Sequence, residues 1–340
     1  GALSSEDAHG KNVAIGYQAL VAQNAGSDAY NVAVGFEAGH DLIQGLQNTL
    51  VGGFAGCKIT SAQYNTALGY QSLASNLIGD NNTALGYFAL QNFVADTDGH
   101  GNNTAVGASA MLNATTGTEN TALGTLAMGS GATTGNANVA VGYASLFSST
   151  TASNNVAIGF ESMRASSEAL YNVAIGFRSL YTNVEGDSNV AIGYDALRVF
   201  NPSNGSTYNT AVGHQAGKTM TTGVQNTLIG SLAGDAMTTG SNNTALGYSS
   251  AGAMTIGLQN VAIGHGALST SVDGDSNTAV GFDSLKVYEG ADGAGGNTGI
   301  GKGAGVAVST GANNTLLGHL AGDALTTGDN NIIIGYNAAA

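Results

Sequence analysis

Acidic residues cluster in three short polar stretches, which are the places where a bound cation would find ligands. These stretches are residues 96–98, 185–187 and 273–275. Carboxylate oxygens presented on a turn are the hard ligands that Ca²⁺ prefers. The glycine- and aspartate-rich calcium nonapeptide is absent, however, and acidic turns also form for backbone reasons alone. We therefore predict no cofactor and keep calcium as the alternative.

Other reactive residue types lack the spacing that chemistry requires. Residues 212–219 resemble a phosphate-binding loop, but the interval between Gly213 and Gly217-Lys218-Thr219 is one residue too short. The six His residues show no metal-ligand spacing, and Cys57 is the single cysteine, so no cysteine zinc site or intrachain disulfide can form. No Ser-His-Asp constellation occurs. The sequence predicts a protein that is not an enzyme.

Charge and hydropathy exclude two further classes of partner. Lys and Arg number only eight and are scattered, and the formal net charge is −14. A nucleic-acid-binding face needs clustered basic residues, so none is predicted. No apolar run approaches the roughly 20 residues that a membrane-spanning helix needs.

One short phrase, rather than any reactive group, organises the chain. It reads Asn, a β-branched residue, usually Ala, an aliphatic residue and Gly, first at residues 12–16 and last at residues 331–335. It occurs nineteen times, and thirteen of the eighteen steps between successive Asn residues are 17 residues long. A period this short predicts an all-β parallel solenoid of about nineteen coils. We expect a polar lead-in over residues 1–11 and one continuous solenoid over residues 12–340.

The residue types within the phrase predict a strand followed by a corner. With Asn as position 0, position 1 is Thr eleven times, Val seven times and Ile once, which suits a strand. Position 4 is always Gly, which permits a tight corner. We predict that the Asn and Gly columns are a structural ladder, with Asn side chains hydrogen-bonded from coil to coil. Representative members of this ladder are Asn12, Asn155, Asn189, Gly16, Gly159 and Gly193.

Alternation along the strand puts positions 1 and 3 on one face and the smaller positions 2 and 4 on the other. A narrow coil needs small residues inside, so positions 1 and 3 should point outward as an apolar stripe. Stripes of this extent mark an interface, and we predict self-association along it. Representative residues of this face are Val13, Ile15, Val156, Ile158, Val190 and Ile192.

The second half of the repeat predicts a packed interior and a second strand. Position 7 is always Ala or Ser, and position 8 is mostly Leu or Met. Where position 8 is Gly or Ala, a large apolar residue tends to follow three positions later, as Leu42 follows Gly39. One large side chain per coil satisfies close packing. We expect two short strands and two corners per coil, stacked into a rod on the order of 90 Å long at ~4.8 Å per coil.

Five longer steps predict surface loops, which are often the functional side of a solenoid. The longest spans residues 92–102, and we predict a contact loop there that contains Phe93, Asp96, Asp98 and His100. Position 5 is mostly aromatic, which favours stacking between coils, with a carbohydrate-binding track as the alternative.

The phrase Asn-Val-Ala-Ile-Gly, at residues 12–16, 155–159, 172–176, 189–193 and 260–264, resembles the repeat of the YadA-like head of trimeric autotransporter adhesins. Residues 65–73 and 82–90 are similar to repeats of phage tail fibres that precede a self-cleaving endosialidase-type chaperone domain. The resemblance covers residues 12–339 and implies a left-handed parallel β-roll that trimerises. The sequence departs from those heads in its 17-residue period and in lacking a Ser between Asn and Val.

These features together predict a structural fibre or adhesin that acts as the shaft or head of an extracellular, cell-surface or virion fibre. Its expected partner is itself, as a homotrimer, with a cell-surface glycan or a protein as receptor. The first alternative is a subunit that assembles head to tail into an extracellular filament. The second is an ice-binding solenoid, suggested by the Thr ladder at Thr49, Thr66, Thr83, Thr104 and Thr121. Val interrupts that ladder at position 139, and we expect the long step from residue 82 to residue 103 to break it as well.

Overall fold

A computed structural model describes residues 1–5, 10–97, 99–203, 205–290 and 293–339. The chain forms two compact units, Gly1–Leu170 and Tyr171–Ala340. In both, a three-residue strand follows directly after each Asn of the repeated phrase. The predicted fold class, an all-β parallel solenoid with coils of about 17 residues, is confirmed.

The first unit contains nine strands that pair in parallel, each with the strands of the coils before and after it. Equivalent positions lie opposite each other, so that Val13 pairs with Val32 and Ala14 with Ala33. The strands are β1 (Val13–Ile15), β2 (Val32–Val34), β3 (Thr49–Val51), β4 (Thr66–Leu68), β5 (Thr83–Leu85), β6 (Thr104–Val106), β7 (Thr121–Leu123), β8 (Val139–Val141) and β9 (Val156–Ile158).

The second unit contains ten strands in the same register. Val173 pairs with Val190, and Thr315 pairs with Ile332. The strands are β10 (Val173–Ile175), β11 (Val190–Ile192), β12 (Thr210–Val212), β13 (Thr227–Ile229), β14 (Thr244–Leu246), β15 (Val261–Ile263), β16 (Thr278–Val280), β17 (Thr298–Ile300), β18 (Thr315–Leu317) and β19 (Ile332–Ile334).

The prediction of a second strand in each coil is wrong, because turns occupy that half of the coil. In the coil that begins at Asn65, Gln71 has a φ of 52° and Leu73 a φ of 53°, and the same positions are left-handed in other coils. Left-handed residues interrupt the extended backbone that a strand requires. The coils still join there, since the Leu73 amide donates to the Ala89 carbonyl at 3.0 Å and the Ser75 amide to the Gln91 carbonyl at 2.9 Å.

The left-handed positions are costly for residues other than Gly, at about 1–2 kcal/mol each. Tertiary packing offsets that cost at position 8, where Leu73 is fully buried. Gly occupies the same position in the coil of Gly39, whose φ is 60°. A Cβ on Gly39 would lie 2.8 Å from Leu50 Cδ1 and 2.9 Å from Leu20 Cδ2, so neighbouring coils fill the space that a side chain would need. The predicted exchange between positions 8 and 11 is therefore present, with Leu42 buried.

Coils of different length keep the same strand register. The step from Asn82 to Asn103 is the longest, yet Thr83 pairs with Thr104 and Leu85 with Val106. The expectation that this step breaks the Thr ladder is therefore wrong, because the added residues fall in the sequence between the end of β5 and the start of β6 and leave the pairing of both strands unchanged. In three lengthened coils a buried aromatic residue at position 11 fills the interior, namely Phe93, Phe200 and Tyr288.

Candidate functional site

The outward sheet face, formed by positions 1 and 3 of the strands, is the broadest candidate surface. Among the described residues, no strand contains a charged side chain. The predicted face residues Val156, Ile158, Val190 and Ile192 are partly exposed, and Ile15 is 60% exposed. Strands that have a paired strand on either side also expose this face, since Leu68 of the first unit is 50% exposed and Leu246 of the second unit is 44% exposed. This much exposed aliphatic surface is unusual for a protein that has no partner.

Thr residues on this face differ from Thr residues in the corners. The hydroxyls of Thr49, Thr66, Thr83, Thr104 and Thr121 make no side-chain hydrogen bond with any residue that the structure describes. Corner Thr residues donate to the next coil instead, as Thr60 Oγ1 does to the Leu77 carbonyl at 3.0 Å. The sheet face of the first unit therefore carries a row of in-register hydroxyls that remain open to solvent or to a partner.

The Asn column forms a continuous hydrogen-bonded ladder within each unit. Asn226 Nδ2 donates to Asn209 Oδ1 at 3.1 Å and to the Gly240 carbonyl at 2.9 Å. Its own Oδ1 accepts from the backbone amide of Asn243 at 3.0 Å and from Asn243 Nδ2 at 3.2 Å. The side chain is fully buried. Each Asn thereby satisfies polar groups of two neighbouring coils.

The ladder residues predicted from the sequence occupy these positions. Asn12 Oδ1 accepts from the Asn31 amide at 2.7 Å, and Asn155 Nδ2 donates to Asn138 Oδ1 at 3.1 Å. Asn189 Nδ2 donates to Asn172 Oδ1 at 3.0 Å. Gly16, Gly159 and Gly193 have φ values of 131°, 132° and 137°. A Cβ on Gly16 or Gly193 would collide with the carbonyl oxygen of the equivalent Gly in the next coil.

In some coils the residue two positions before the Asn makes a second polar contact with the preceding coil, which sequence reasoning missed. Asp80 Oδ1 accepts from the Gln63 amide and Asp329 Oδ1 from the Ala312 amide, both at 2.7 Å. Asp, Asn or Ser occupies this position in seven of the nineteen copies, which was the signal in the sequence. This contact also accounts for one acidic stretch weighed for calcium, since Asp275 Oδ1 accepts from the Leu258 amide at 2.7 Å. The described part of the chain contains no group of three His, Cys, Asp or Glu residues that could hold a metal ion.

The aromatic residues at position 5 stack on one another along each unit. Phe177 and Tyr194 have ring centroids 5.1 Å apart and an interplanar angle of 6°. His265 lies between Tyr248 and Phe282, with centroid distances of 5.2 Å and 4.9 Å. Neighbouring rings cover the ring faces within these runs, so a sugar could not stack on those faces without displacing a ring. This geometry favours the coil-to-coil stacking interpretation.

The predicted contact loop is corrected at its first residue. Phe93 is fully buried, because it fills the widened interior of its coil, so it cannot contact a partner from the surface. Asp96 and His100 are exposed, with Asp96 Oδ1 3.0 Å from His100 Nδ1. Asp98 lies outside the described residues. This corner therefore presents an acidic residue and a His, without an aromatic anchor.

A recess lies at the second corner of the coil that begins at Asn189. It has a volume of about 500 Å³ and is lined by Val184, Glu185, Asn201, Pro202, Ser203 and Thr222. Asn201 Oδ1 accepts from the Val184 amide at 3.1 Å, which joins two walls of the recess. Sequence reasoning missed this feature, since its residues come from three different coils.

Burial raises the pKa of three side chains outside these surfaces, those of Cys57, Asp235 and Tyr288. The pKa of the Cys57 thiol is raised mainly because the group is withdrawn from solvent, and Asp41 and Glu37 add to the effect. The pKa of Asp235 is likewise raised by burial, against the opposing effects of its own backbone hydrogen bond and of Lys218. A thiol with a raised pKa is a poor nucleophile at neutral pH.

Comparisons of the chain with protein-family models, with curated proteins and with solved structures found no match in any of the three. The family resemblance drawn from the repeated phrase therefore stays a prediction, whereas the solenoid rests on the structure. Over the residues that the structure describes, no helix has the length and apolar character that crossing a membrane would require.

Proposed function

We propose that this protein is a non-enzymatic structural fibre protein that associates through its outward sheet face into a homotrimer. The observation that carries the proposal is the uncharged face of positions 1 and 3, with Leu68 50%, Leu123 47% and Leu246 44% exposed. A threefold axis would bring one such face from each protomer together. Burial of these side chains stabilises an assembly by about 25 cal/mol per Å² of apolar surface.

A role in surface attachment is the second part of the proposal. The resemblance to adhesin heads and tail fibres supports an extracellular, cell-surface or virion location, with a surface glycan or protein as receptor. The scarcity of Lys and Arg, eight in all, argues against nucleic acid as a partner. No cofactor is required for this role.

Light scattering of the purified protein over a dilution series tests the trimer. We expect a constant mass of about three chains, because burial of the sheet face should persist on dilution. A mass that grows with concentration, with lengthening filaments in electron micrographs, would support head-to-tail assembly instead. A monomeric mass at all concentrations would reject self-association through the sheet face.

Ice binding is a second candidate, favoured by the in-register Thr row of the first unit. Thr49 through Thr121 keep their alignment over five coils, and their hydroxyls are not engaged by other described residues. A regular array of hydroxyl and methyl groups could order water molecules only if the face stays open. Thermal hysteresis of a monomeric sample would support this function, and its absence would reject it.

A further inference from the structure

The recess at the second corner shares no residue with the sheet face or with the Asn column. Val184 and Glu185 come from the coil of Asn172, Asn201 to Ser203 from the coil of Asn189, and Thr222 from the coil of Asn209. The step from Asn189 to Asn209 is 20 residues long, so its corner carries three residues more than the ordinary 17. This longer corner forms one wall of the recess.

Buried groups hold the corner that carries Val184 and Glu185 in place. Asn183 Nδ2 donates to the Gly186 carbonyl at 2.8 Å, and the Gly186 amide donates to Asn183 Oδ1 at 3.0 Å. A Cβ on Gly186 would lie 2.7 Å from Pro202 Cγ and 3.0 Å from Phe200 Cε1. Pro202 and Phe200 therefore pack directly under this corner, and both are buried. A preformed site reduces the entropy lost on binding.

The walls present polar groups that the protein does not use. Glu185, Ser203 and Thr222 make no side-chain hydrogen bond or ion pair with any residue in the described ranges. Asn201 uses its Oδ1 for the Val184 amide, and its Nδ2 remains as a donor. The recess thus offers a carboxylate acceptor, an amide donor and two hydroxyls beside the partly exposed apolar side chain of Val184.

Resting on the proposed role in attachment to a surface glycan, we propose that this recess binds one neutral sugar residue of a carbohydrate. A sugar offers several hydroxyl groups that donate and accept, together with a C–H face that packs on apolar side chains. The volume of about 500 Å³ falls in the range of small-molecule sites, roughly 300–1,000 Å³. Among the lining residues that the structure describes there is no Lys, Arg or His, so an anionic ligand would find no counter-charge. Glu185 is the one carboxylate among them, which gives Ca²⁺ little of the ligand charge on which its affinity depends.

Saturation-transfer difference NMR with the full-length protein tests the site. The probes are the methyl glycosides of glucose, galactose, mannose and N-acetylglucosamine, each added at millimolar concentration in the presence of EDTA. We expect saturation transfer from the protein to at least one glycoside. Its Kd should be about 1–10 mM, because only a few hydrogen bonds hold the sugar. Transfer to none of the four would overturn the proposal.

Matched variants locate the binding. Glu185→Gln and Thr222→Ala should weaken binding of the glycoside about tenfold or more, because the first replaces a charged acceptor with a neutral amide and the second removes a hydroxyl group. Glu289→Gln, at the lengthened corner of another coil, should leave its affinity unchanged. Unaltered affinity in both Glu185→Gln and Thr222→Ala would overturn the assignment. Light scattering of the same samples reports the oligomeric state separately, so failure of the trimer and failure of the sugar site are distinguishable.

Discussion

At the scale of single residues, the buried Asn side chains fill space and also satisfy the hydrogen-bonding groups around them. Each one satisfies backbone and side-chain groups of the coil on either side of it, as Asn226 does for Asn209, Gly240 and Asn243. Buried polar groups that lose their partners destabilise a fold by about 1–3 kcal/mol each. Loss of one Asn side chain is therefore expected to destabilise the solenoid strongly.

We expect Asn226→Ala to lower the free energy of unfolding by about 2–4 kcal/mol, because it leaves the Gly240 carbonyl and the Asn243 amide without these partners. Urea denaturation followed by circular dichroism measures the change. Asn242→Asp is the control, since Asn242 is exposed, and it should change stability by less than about 0.5 kcal/mol. Equal losses in the two variants would contradict the ladder.

The raised pKa of Asp235 predicts how the stability of the protein changes with pH. Burial raises its pKa in the folded state above the ordinary value of 3.8. Between the unfolded and the folded pKa the folded protein therefore binds more protons, and its stability falls as pH rises through that window. We expect Asp235→Asn to stabilise the protein at pH 7 and to have little effect below pH 3. Urea denaturation at both pH values measures this, and an equal effect at both would refute it.

At the scale of the coil, corner length and interior volume change together. The longest coil buries Phe93 and the two coils of 20 residues bury Phe200 and Tyr288, whereas ordinary coils use Leu, Met or smaller side chains at this depth. The added residues widen the coil locally, and an aromatic side chain restores close packing. The strand register is unaffected.

Phe93→Ala should therefore lower the free energy of unfolding by about 3–5 kcal/mol through loss of burial and formation of a cavity. Val94→Ala, at a neighbouring residue that is 37% exposed, is the matched control and should cost much less. Chemical denaturation of the two variants shows whether Phe93 is a core residue or a surface contact residue. A small effect of Phe93→Ala would restore the contact-loop interpretation.

The strand half of the coil was predictable and the turn half was not. The Asn phrase encodes its own structure, because a β-branched residue, an aliphatic residue and a corner Gly each favour one backbone state. Gln71 and Leu73 carry no such signal, since neither residue type favours a positive φ, and packing between coils imposes that conformation. The recess was equally hidden, because Glu185, Asn201 and Thr222 meet only once coils stack.

At the scale of the whole molecule, the sheet face is the surface on which the proposed trimer depends. We expect Leu246→Asp to convert a three-chain mass into a one-chain mass in light scattering, because three carboxylates would be buried near one axis without partners. Thr239→Asp introduces the same charge at an exposed corner residue and should leave the mass unchanged. Dissociation of both variants would point to net charge rather than to the sheet face.

Within each unit a strand contacts only the strands of the adjacent coils, and every described pair uses the same register. A segment that runs from one Asn to the next can therefore be gained or lost as a block. The two coils that become neighbours are then joined by the same hydrogen bonds between their Asn residues. Loss of the part that contains the Asn would instead remove this link between the two flanking coils. Recombination between repeats can thus lengthen or shorten the protein while the strand register and the Asn link are kept.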